Sequence, residues 1–166
     1  MYWQDEGYLL SKHNYNENSI IIEVFTLDHG KYTGIVYGGS SKKQKKNFQT
    51  GNKILIVWKS KNENRTGYFN VELIEPISPI FFDDKKRIAC ILSATSILKI
   101  LLPERQINKK IYTALEFMLK NLKNENWIKL YLNWELLLIK ELGYEGDSNT
   151  NYNNDIKKAL KFNKNL

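Results

Sequence analysis

The chain of 166 residues has almost no cysteine or histidine. A single cysteine, Cys90, excludes an intramolecular disulfide and a zinc site built from cysteines alone. His13 and His29 lie in separate predicted turns without a neighbouring cysteine, so we interpret them as exposed turn residues rather than metal ligands. The sequence therefore predicts no metal and no cofactor.

The sequence also lacks the segments that direct a chain to or across a membrane. The apolar stretch 127–142 is interrupted by Lys129, Asn133, Glu135 and Lys140, and it falls short of the roughly 20 apolar residues that span a bilayer. The N-terminus has no basic start followed by an apolar core, so a secretory signal is not indicated. We expect a cytoplasmic protein.

Motifs of nucleotide chemistry are missing as well. No Gly-x-x-x-x-Gly-Lys-Ser/Thr segment is present, which argues against ATP use. The paired carboxylates Asp5-Glu6 and Asp83-Asp84 are interpreted as structural groups, the second pair as a helix cap. With no constellation of catalytic residues, the sequence predicts a protein that is not an enzyme.

Positive charge is plentiful and unevenly placed. The net charge is +7 and the isoelectric point is near 9.3, although the heavy use of lysine beside only three arginines also fits the codon bias of an AT-rich genome. The distribution is more informative, because residues 31–65 contain nine basic residues and one acid, Glu63. Such a cluster indicates a nucleic-acid-binding surface.

Two patterns of hydrophobic periodicity divide the chain. Five runs rich in β-branched and aromatic residues, at 7–12, 19–27, 32–38, 53–60 and 66–75, predict a small β-barrel of the OB type. After Pro79, stripes of helical period predict helices at 84–102, 108–122 and 127–142, with Asp83 or Asp84 as the first N-cap and Asn108 as the second. The last helix is apolar on nearly every side, so we expect it to be the most enclosed of the three.

We therefore predict an α+β chain, with a five-stranded OB-fold barrel followed by an all-helical domain. The predicted boundaries are 1–80 for the barrel, 81–145 for the helical domain and 146–166 for a polar and basic C-terminal tail.

Several short motifs occur in a characteristic order. A D-E-G-x-x-L strand, a Y-x-E-x-S turn and an F-T hairpin with two spaced glycines are represented by Asp5-Glu6-Gly7, Leu10, Tyr15, Glu17, Ser19, Phe25-Thr26, Gly30 and Gly38. Downstream motifs are represented by Leu102-Pro103-Glu104, Tyr112, Leu115, Trp134-Glu135-Leu136, Leu142-Gly143 and Tyr144. Over roughly residues 1 to 145 this order resembles the RecO family of recombination mediators.

The resemblance implies binding of single- and double-stranded DNA, annealing of complementary strands, and cooperation with RecR and the C-terminal tail of the single-strand-binding protein. It also implies a nucleoid-associated location and brings no catalytic residue. Many relatives carry a cysteine-rich zinc element after the L-G-Y/F motif, whereas residues 147–154 contain no cysteine. Zinc binding is therefore not expected.

The predicted DNA-binding surface combines lysines with aromatic rings. Residues 38–52, the lysine loop, contain four lysines and Phe48, and such a loop can follow a phosphate backbone while its ring stacks on a base. Tyr37 and Tyr68 are further stacking candidates, but Tyr32 and Trp58, each beside a lysine, are preferred; the alternative is that these rings are barrel core. The predicted DNA-binding residues are Lys31, Tyr32, Lys42, Lys43, Lys45, Lys46, Lys53, Trp58, Lys59, Lys61 and Arg65.

In the helical half, Arg105, Lys109 and Lys110 are predicted at the rim of a groove for an acidic partner peptide, with ordinary helix packing as the alternative.

A different function of the whole chain also remains open. The chain would then be a protein-interaction adaptor that uses the OB-fold as a docking surface, and its lysine excess would reflect only genomic bias.

Overall fold

The computed structural model describes residues 1–41, 47–62 and 66–144. Five strands come first: β1 (Tyr2–Asn14), β2 (Ser19–Thr26), β3 (Gly30–Tyr37), β4 (Lys53–Lys59) and β5 (Gly67–Glu75). A short 3-10 turn, Ser78–Phe81, leads to the helices α1 (Lys85–Leu101), α2 (Lys109–Lys120) and α3 (Trp127–Glu141). The tail predicted at 146–166 lies outside the described residues, and the domain boundaries remain a prediction.

The strands form a closed barrel in the order β1-β2-β3-β5-β4, which confirms the predicted OB-type fold. The long strand β1 pairs with two neighbours, with β4 through its first half and with β2 through its second half. A register shift between Leu9 and Ser11 bends β1 between these two partners. Parallel pairing of Gly34 with Gly67 and of Ile35 with Tyr68 closes the barrel between β3 and β5.

Apolar side chains form two separate clusters. The barrel core is filled by alternate residues of all five strands, as period-two patterns dictate. Its buried members are Leu9, Ile20, Ile22, Val24, Val36, Phe48, Ile54, Ile56, Trp58 and Phe69.

The second cluster, the interface core, joins the outer wall of the barrel to the helices. Tyr8 and Phe25 point outward from β1 and β2, and each ring centroid lies 5.5 Å from that of Tyr112 on α2. Ile91 and Leu98 of α1 are fully buried in the same cluster. The helices therefore pack against the outer surface of β1 and β2.

The predicted helix starts are confirmed in detail. The side chain of Asp84 accepts hydrogen bonds from the backbone N–H groups of Lys86 and Arg87, and that of Asn108 accepts one from Ile111. These caps satisfy donors that the first helical turn leaves without a partner.

The expectation that α3 would be the most enclosed helix is wrong. Only Trp134 and Leu138 are buried in α3, whereas α1 and α2 each bury five residues. One face of α3 packs on the interface core, and Ile128 and Leu136 on the other face are 39% and 38% exposed. Composition alone could not distinguish an enclosed helix from one with a second apolar face.

Candidate nucleic-acid interface

Three exposed tyrosines and a half-buried lysine form a row across the outer wall of the barrel. Tyr2 on β1 pairs with Lys59 on β4, and Lys59 pairs with Tyr68 on β5. The ring of Tyr37, at the end of β3, lies 6.0 Å from that of Tyr68. We call Tyr2, Lys59, Tyr68 and Tyr37 the tyrosine row.

The rings of the tyrosine row are open to solvent. Tyr2 is 65% exposed, Tyr37 67% and Tyr68 41%. Their neighbours in sequence on β1, β4 and β5 point inward, so the alternation of each strand places these side chains on the same outer wall. Exposed aromatic faces next to a lysine are what a groove for single-stranded nucleic acid requires.

Sequence reasoning missed Tyr2, because the first predicted run began at residue 7 and β1 begins five residues earlier. The signal was present in the alternation of Tyr2 and Gln4 with Trp3 and Asp5. Tyr37 and Tyr68 were recognised as candidates but ranked below Tyr32 and Trp58.

Lysines flank the row. Lys61 is exposed, two residues beyond Lys59, and the lysine loop begins directly after Tyr37. Five of the predicted DNA-binding residues lie outside the described residues. They are Lys42, Lys43, Lys45, Lys46 and Arg65.

Two predicted stacking rings are placed inside the barrel. Trp58 is 2% exposed and Phe48 is 1% exposed, and both belong to the barrel core. Neither ring can stack on a base in this structure, so both are removed from the candidate surface. Trp58 sits at an inward position of β4, whereas its neighbour Lys59 faces outward.

Two predicted phosphate-binding lysines are also engaged within the protein. The ammonium of Lys31 donates a hydrogen bond of 2.7 Å to the backbone carbonyl of Lys99, near the C-terminal end of α1. Such a contact satisfies a helix-end carbonyl and complements the helix dipole. Lys31 is 7% exposed, and it is likewise removed from the candidate surface.

Lys53 is held in an ion-pair network between barrel and helices. Its Nζ lies 2.8 Å from both Glu6 Oε2 and Glu116 Oε1, and Tyr8 donates a hydrogen bond to Glu116. Burial lowers the pKa of Lys53, but the hydrogen bonds to Glu116 and Glu6 outweigh burial and raise it above its ordinary value. This lysine stabilises the fold and does not face a ligand.

The third group of predicted residues lies at one rim of the helical half. Lys109 pairs with Asp28 at 2.6 Å and Lys110 pairs with Glu141 at 3.1 Å. The hydrogen bond to Asp28 raises the pKa of Lys109. Ile107, 53% exposed, lies between Arg105 and these lysines, which gives the rim a mixed basic and apolar character.

Groups suited to covalent or metal chemistry are scarce in the described ranges. Among residues 1–41, 47–62 and 66–144, no group of three or more histidines, cysteines or acids could hold a metal ion. Burial raises the pKa of Cys90 to about 12, which keeps this thiol protonated at neutral pH. No helix in the same ranges is long and apolar enough to cross a membrane.

Comparison with known proteins gives consistent matches. A family model for the N-terminal part of recombination protein O matches residues 1–77, and a model for its C-terminal part matches residues 83–154. The DNA repair protein RecO of Roseobacter denitrificans is 35% identical over 145 residues, which are 87% of this chain and 60% of that protein. The RecO protein of Cereibacter sphaeroides is 34% identical over 144 residues, with the same coverage.

The DNA repair protein RecO of a Wolbachia strain from Drosophila simulans matches over a longer range. It is 32% identical over 164 residues, which are 98% of this chain and 68% of that protein. The chain spans about 60% of the length of the first two relatives.

Proposed function

Since this chain belongs to the RecO family of DNA repair proteins, we propose that it is a recombination mediator that binds single- and double-stranded DNA and anneals complementary strands. The observation that supports this proposal is the tyrosine row, in which exposed rings and a lysine cross the barrel wall beside the lysine loop. No covalent bond is made or broken in this function.

Two kinds of contact hold a single strand in the proposed mode. Bases stack on Tyr37 and Tyr68, and each stacked base contributes about 1 to 3 kcal/mol by the usual alanine measurements. Lys59, Lys61 and the lysine loop meet phosphates as point charges, which carry no sequence information. A mediator that must accept any strand needs this combination.

Annealing follows from the same contacts. Stacking occupies the faces of the bases and leaves their Watson–Crick edges available to a second strand. Lysine neutralises phosphate charge, which reduces the repulsion between two strands that approach each other. Double-stranded DNA binds through phosphates alone, so we expect its affinity to depend on the lysines more than on the tyrosines.

The proposed partners are RecR and the acidic C-terminal tail of the single-strand-binding protein. The rim of Arg105, Ile107, Lys109 and Lys110 supports the second assignment, because a basic and apolar rim complements an acidic peptide with apolar residues. Cooperation with RecR to load recombinase is proposed from the family, and its surface is not assigned.

An adaptor function is the second candidate. Exposed tyrosines are enriched in protein interfaces, so the tyrosine row would also suit a protein partner. Salt dependence separates the two functions, because each phosphate contact on a single strand contributes about 0.7 to the log-log slope of affinity against salt.

Fluorescence anisotropy with labelled oligo-dT at low and moderate salt tests the proposal. We expect salt-sensitive binding by the wild type and a loss of about tenfold or more in a Tyr37→Ala, Tyr68→Ala variant. Tyr144→Ala is the matched control, because Tyr144 is 65% exposed but follows α3 and does not belong to the tyrosine row. Absence of oligo-dT binding by the wild type would contradict the proposal and favour the adaptor.

A second variant locates the phosphate contacts. Replacement of Lys42, Lys43, Lys45 and Lys46 by alanine is expected to weaken binding of single- and double-stranded DNA and to reduce the salt slope. Wild-type affinity in this variant would move the phosphate-binding surface away from the lysine loop. Annealing of two complementary labelled strands should slow in parallel with the loss of affinity.

A further inference from the structure

One end of the barrel is lined by aromatic rings. We call this end, with Trp3, His29, Tyr32 and Trp58, the barrel mouth. The rings of Trp3 and His29 are stacked with centroids 4.0 Å apart and planes within 8°, and Tyr32 meets Trp3 edge-on at 4.9 Å. Trp3, His29 and Tyr32 are each partly exposed. They therefore offer aromatic surface to solvent rather than only to the core.

A segment from the helical half holds a cation over this mouth. The backbone N–H of Arg105 donates a hydrogen bond of 2.9 Å to the carbonyl of Lys31 on β3, and Thr33 donates one to the carboxylate of Glu104. These bonds fix the segment along β3. The guanidinium carbon of Arg105 then lies 5.3 Å from the centre of the Tyr32 ring, within cation–π range.

The backbone of Arg105 adopts an unfavourable conformation. Its φ is 61°, and it is the only residue other than glycine with a positive φ in residues 1–41, 47–62 and 66–144. A side chain in this region costs about 1 to 2 kcal/mol. A strained residue that also presents a guanidinium over an aromatic ring is typical of a ligand-binding position.

Trp58 forms the buried wall of the mouth. Its exposure is 2%, and its Nε1 atom lies against Gly67 of β5, where an added side chain would overlap it. The Trp58 ring packs against Trp3 at 5.6 Å and against Tyr32 at 5.6 Å. Trp58 therefore supports the rings of Trp3 and Tyr32 and does not itself meet a ligand.

The barrel mouth adjoins the tyrosine row. Trp3 follows Tyr2 on β1 and Trp58 precedes Lys59 on β4, and both pairs are in register. Tyr2 and Lys59 face the outer wall, whereas Trp3 and Trp58 point into the barrel, so the row and the mouth lie on opposite faces of the same strand ends. The two surfaces also differ in their cation, because the row carries Lys59 whereas the mouth carries Arg105 over the Tyr32 ring.

From this geometry we propose that the barrel mouth is a second contact site, which takes one unpaired nucleobase against Tyr32 and His29 and its phosphate on Arg105. The proposal rests on the proposed DNA-binding function and extends it from strand capture to strand discrimination. Paired bases are stacked within a duplex and cannot enter the mouth. The mouth therefore favours single strands, whereas the lysines bind both forms.

Arg105→Gly is the central variant, because glycine accepts a φ of 61° and the side chain with its guanidinium is removed without backbone strain. Tyr32→Leu removes the ring, and Tyr32→Phe is its matched control, since it keeps the aromatic face. We expect Arg105→Gly and Tyr32→Leu to lower the affinity for oligo-dT about tenfold, while Tyr32→Phe binds like the wild type. The affinity for a blunt-ended DNA duplex of two strands, which has no unpaired bases, should change less than twofold in all three. Circular dichroism and the urea midpoint report whether each variant is folded.

Fluorescence of Trp3 and Trp58 provides an independent readout. Oligo-dT should quench tryptophan emission in the wild type, and Arg105→Gly should reduce the quenching at saturating DNA. An oligonucleotide of abasic sugars should bind the wild type and Tyr32→Leu with similar affinity, since it keeps its phosphates but has no base for the ring.

Three results would overturn the inference. The first is that Arg105→Gly binds oligo-dT with wild-type affinity while the Tyr37→Ala, Tyr68→Ala variant loses affinity. This result would reject the mouth as a contact site but would not contradict the proposed function. Equal losses on oligo-dT and on the blunt-ended duplex would show a phosphate contact without a base. Failure of the wild type to bind any DNA would reject both the inference and the proposed function.

Discussion

At the residue scale, lysine has two different roles in this chain. Lys31 and Lys53 lie within the basic window of the sequence, yet both are buried and bound to helix or carboxylate groups. Lys59 and Lys61 face outward in the same window. Counting charges in the sequence cannot distinguish a buried structural lysine from an outward-facing one, because the count does not show in which direction each side chain points.

The network around Lys53 makes stability depend on pH. Burial raises the pKa of Glu116, but the hydrogen bonds from Lys53 and Lys120 outweigh burial and hold this pKa below its ordinary value. A carboxyl whose pKa is lowered by folding stabilises the protein above about pH 4.3, and this contribution is lost as the pH falls through the folded value. We expect Glu116→Gln to flatten the acid side of a plot of urea midpoint against pH.

Glu72→Gln is the control for this prediction, because Glu72 is exposed on β5. Its acid limb should follow that of the wild type. The opposite limb reports on Lys53, whose raised pKa places its contribution below about pH 10.4, with loss as the pH rises further. An unchanged acid limb in Glu116→Gln would contradict the assigned role of the network.

Two glycines differ in what an added methyl group would meet. Gly30 has φ +79°, and a Cβ there would overlap the backbone carbonyl of Gln106. Gly38 has φ +72°, but a Cβ there would meet nothing within 4 Å. We expect Gly30→Ala to lower the free energy of unfolding by about 3 kcal/mol, and Gly38→Ala by about 1 kcal/mol. Urea unfolding measures both, and equal effects would show that the contact with Gln106 is unimportant.

At the scale of elements, the helix starts differ in how they are capped. Asn108 caps α2 through its side chain, whereas Asn126, at the corresponding position of α3, makes no such hydrogen bond. We expect Asn108→Ala to lower the free energy of unfolding by about 1 kcal/mol and Asn126→Ala to have little effect. Denaturant unfolding of the two variants provides the comparison, and a larger effect at Asn126 would be inconsistent with the observed caps.

The strands show why the candidate site was only partly predicted. Period-two alternation identified the inward residues Phe69 and Val71 and their outward neighbours on β5. On β4, however, Lys53 and Trp58 are both buried, one under the helices and one in the barrel core. The period-two alternation predicts on which face of the sheet a side chain lies. Whether that face is exposed to solvent depends on which other elements pack against it.

At the scale of the whole molecule, the interface core couples the barrel to the helices. Tyr112 of α2 contacts the rings of both Tyr8 and Phe25 and is 2% exposed. We expect Tyr112→Ala to lower the free energy of unfolding by about 3 kcal/mol, with loss of hydrogen-exchange protection in β2 as well as in α2. Tyr112→Phe, which keeps the ring, should change stability by less than about 1 kcal/mol. Protection lost only in α2 would show that barrel and helices unfold separately.

The sequence by itself determined the period of each segment, and therefore the five-stranded barrel, the three helices and two of their caps. It also determined the family, because the motifs occur in a fixed order along the chain. Those properties are local, since hydrophobic period and capping are decided by residues a few positions apart.

Only the tertiary structure decided which faces remain open. Closure of the barrel buried Trp58, packing of the helices enclosed Lys31 and Lys53, and strand register brought Tyr2, Lys59 and Tyr68 into one row. Burial and register are set by contacts between residues far apart in sequence. The burial of a side chain and the register of a strand therefore cannot be predicted from one sequence without its fold.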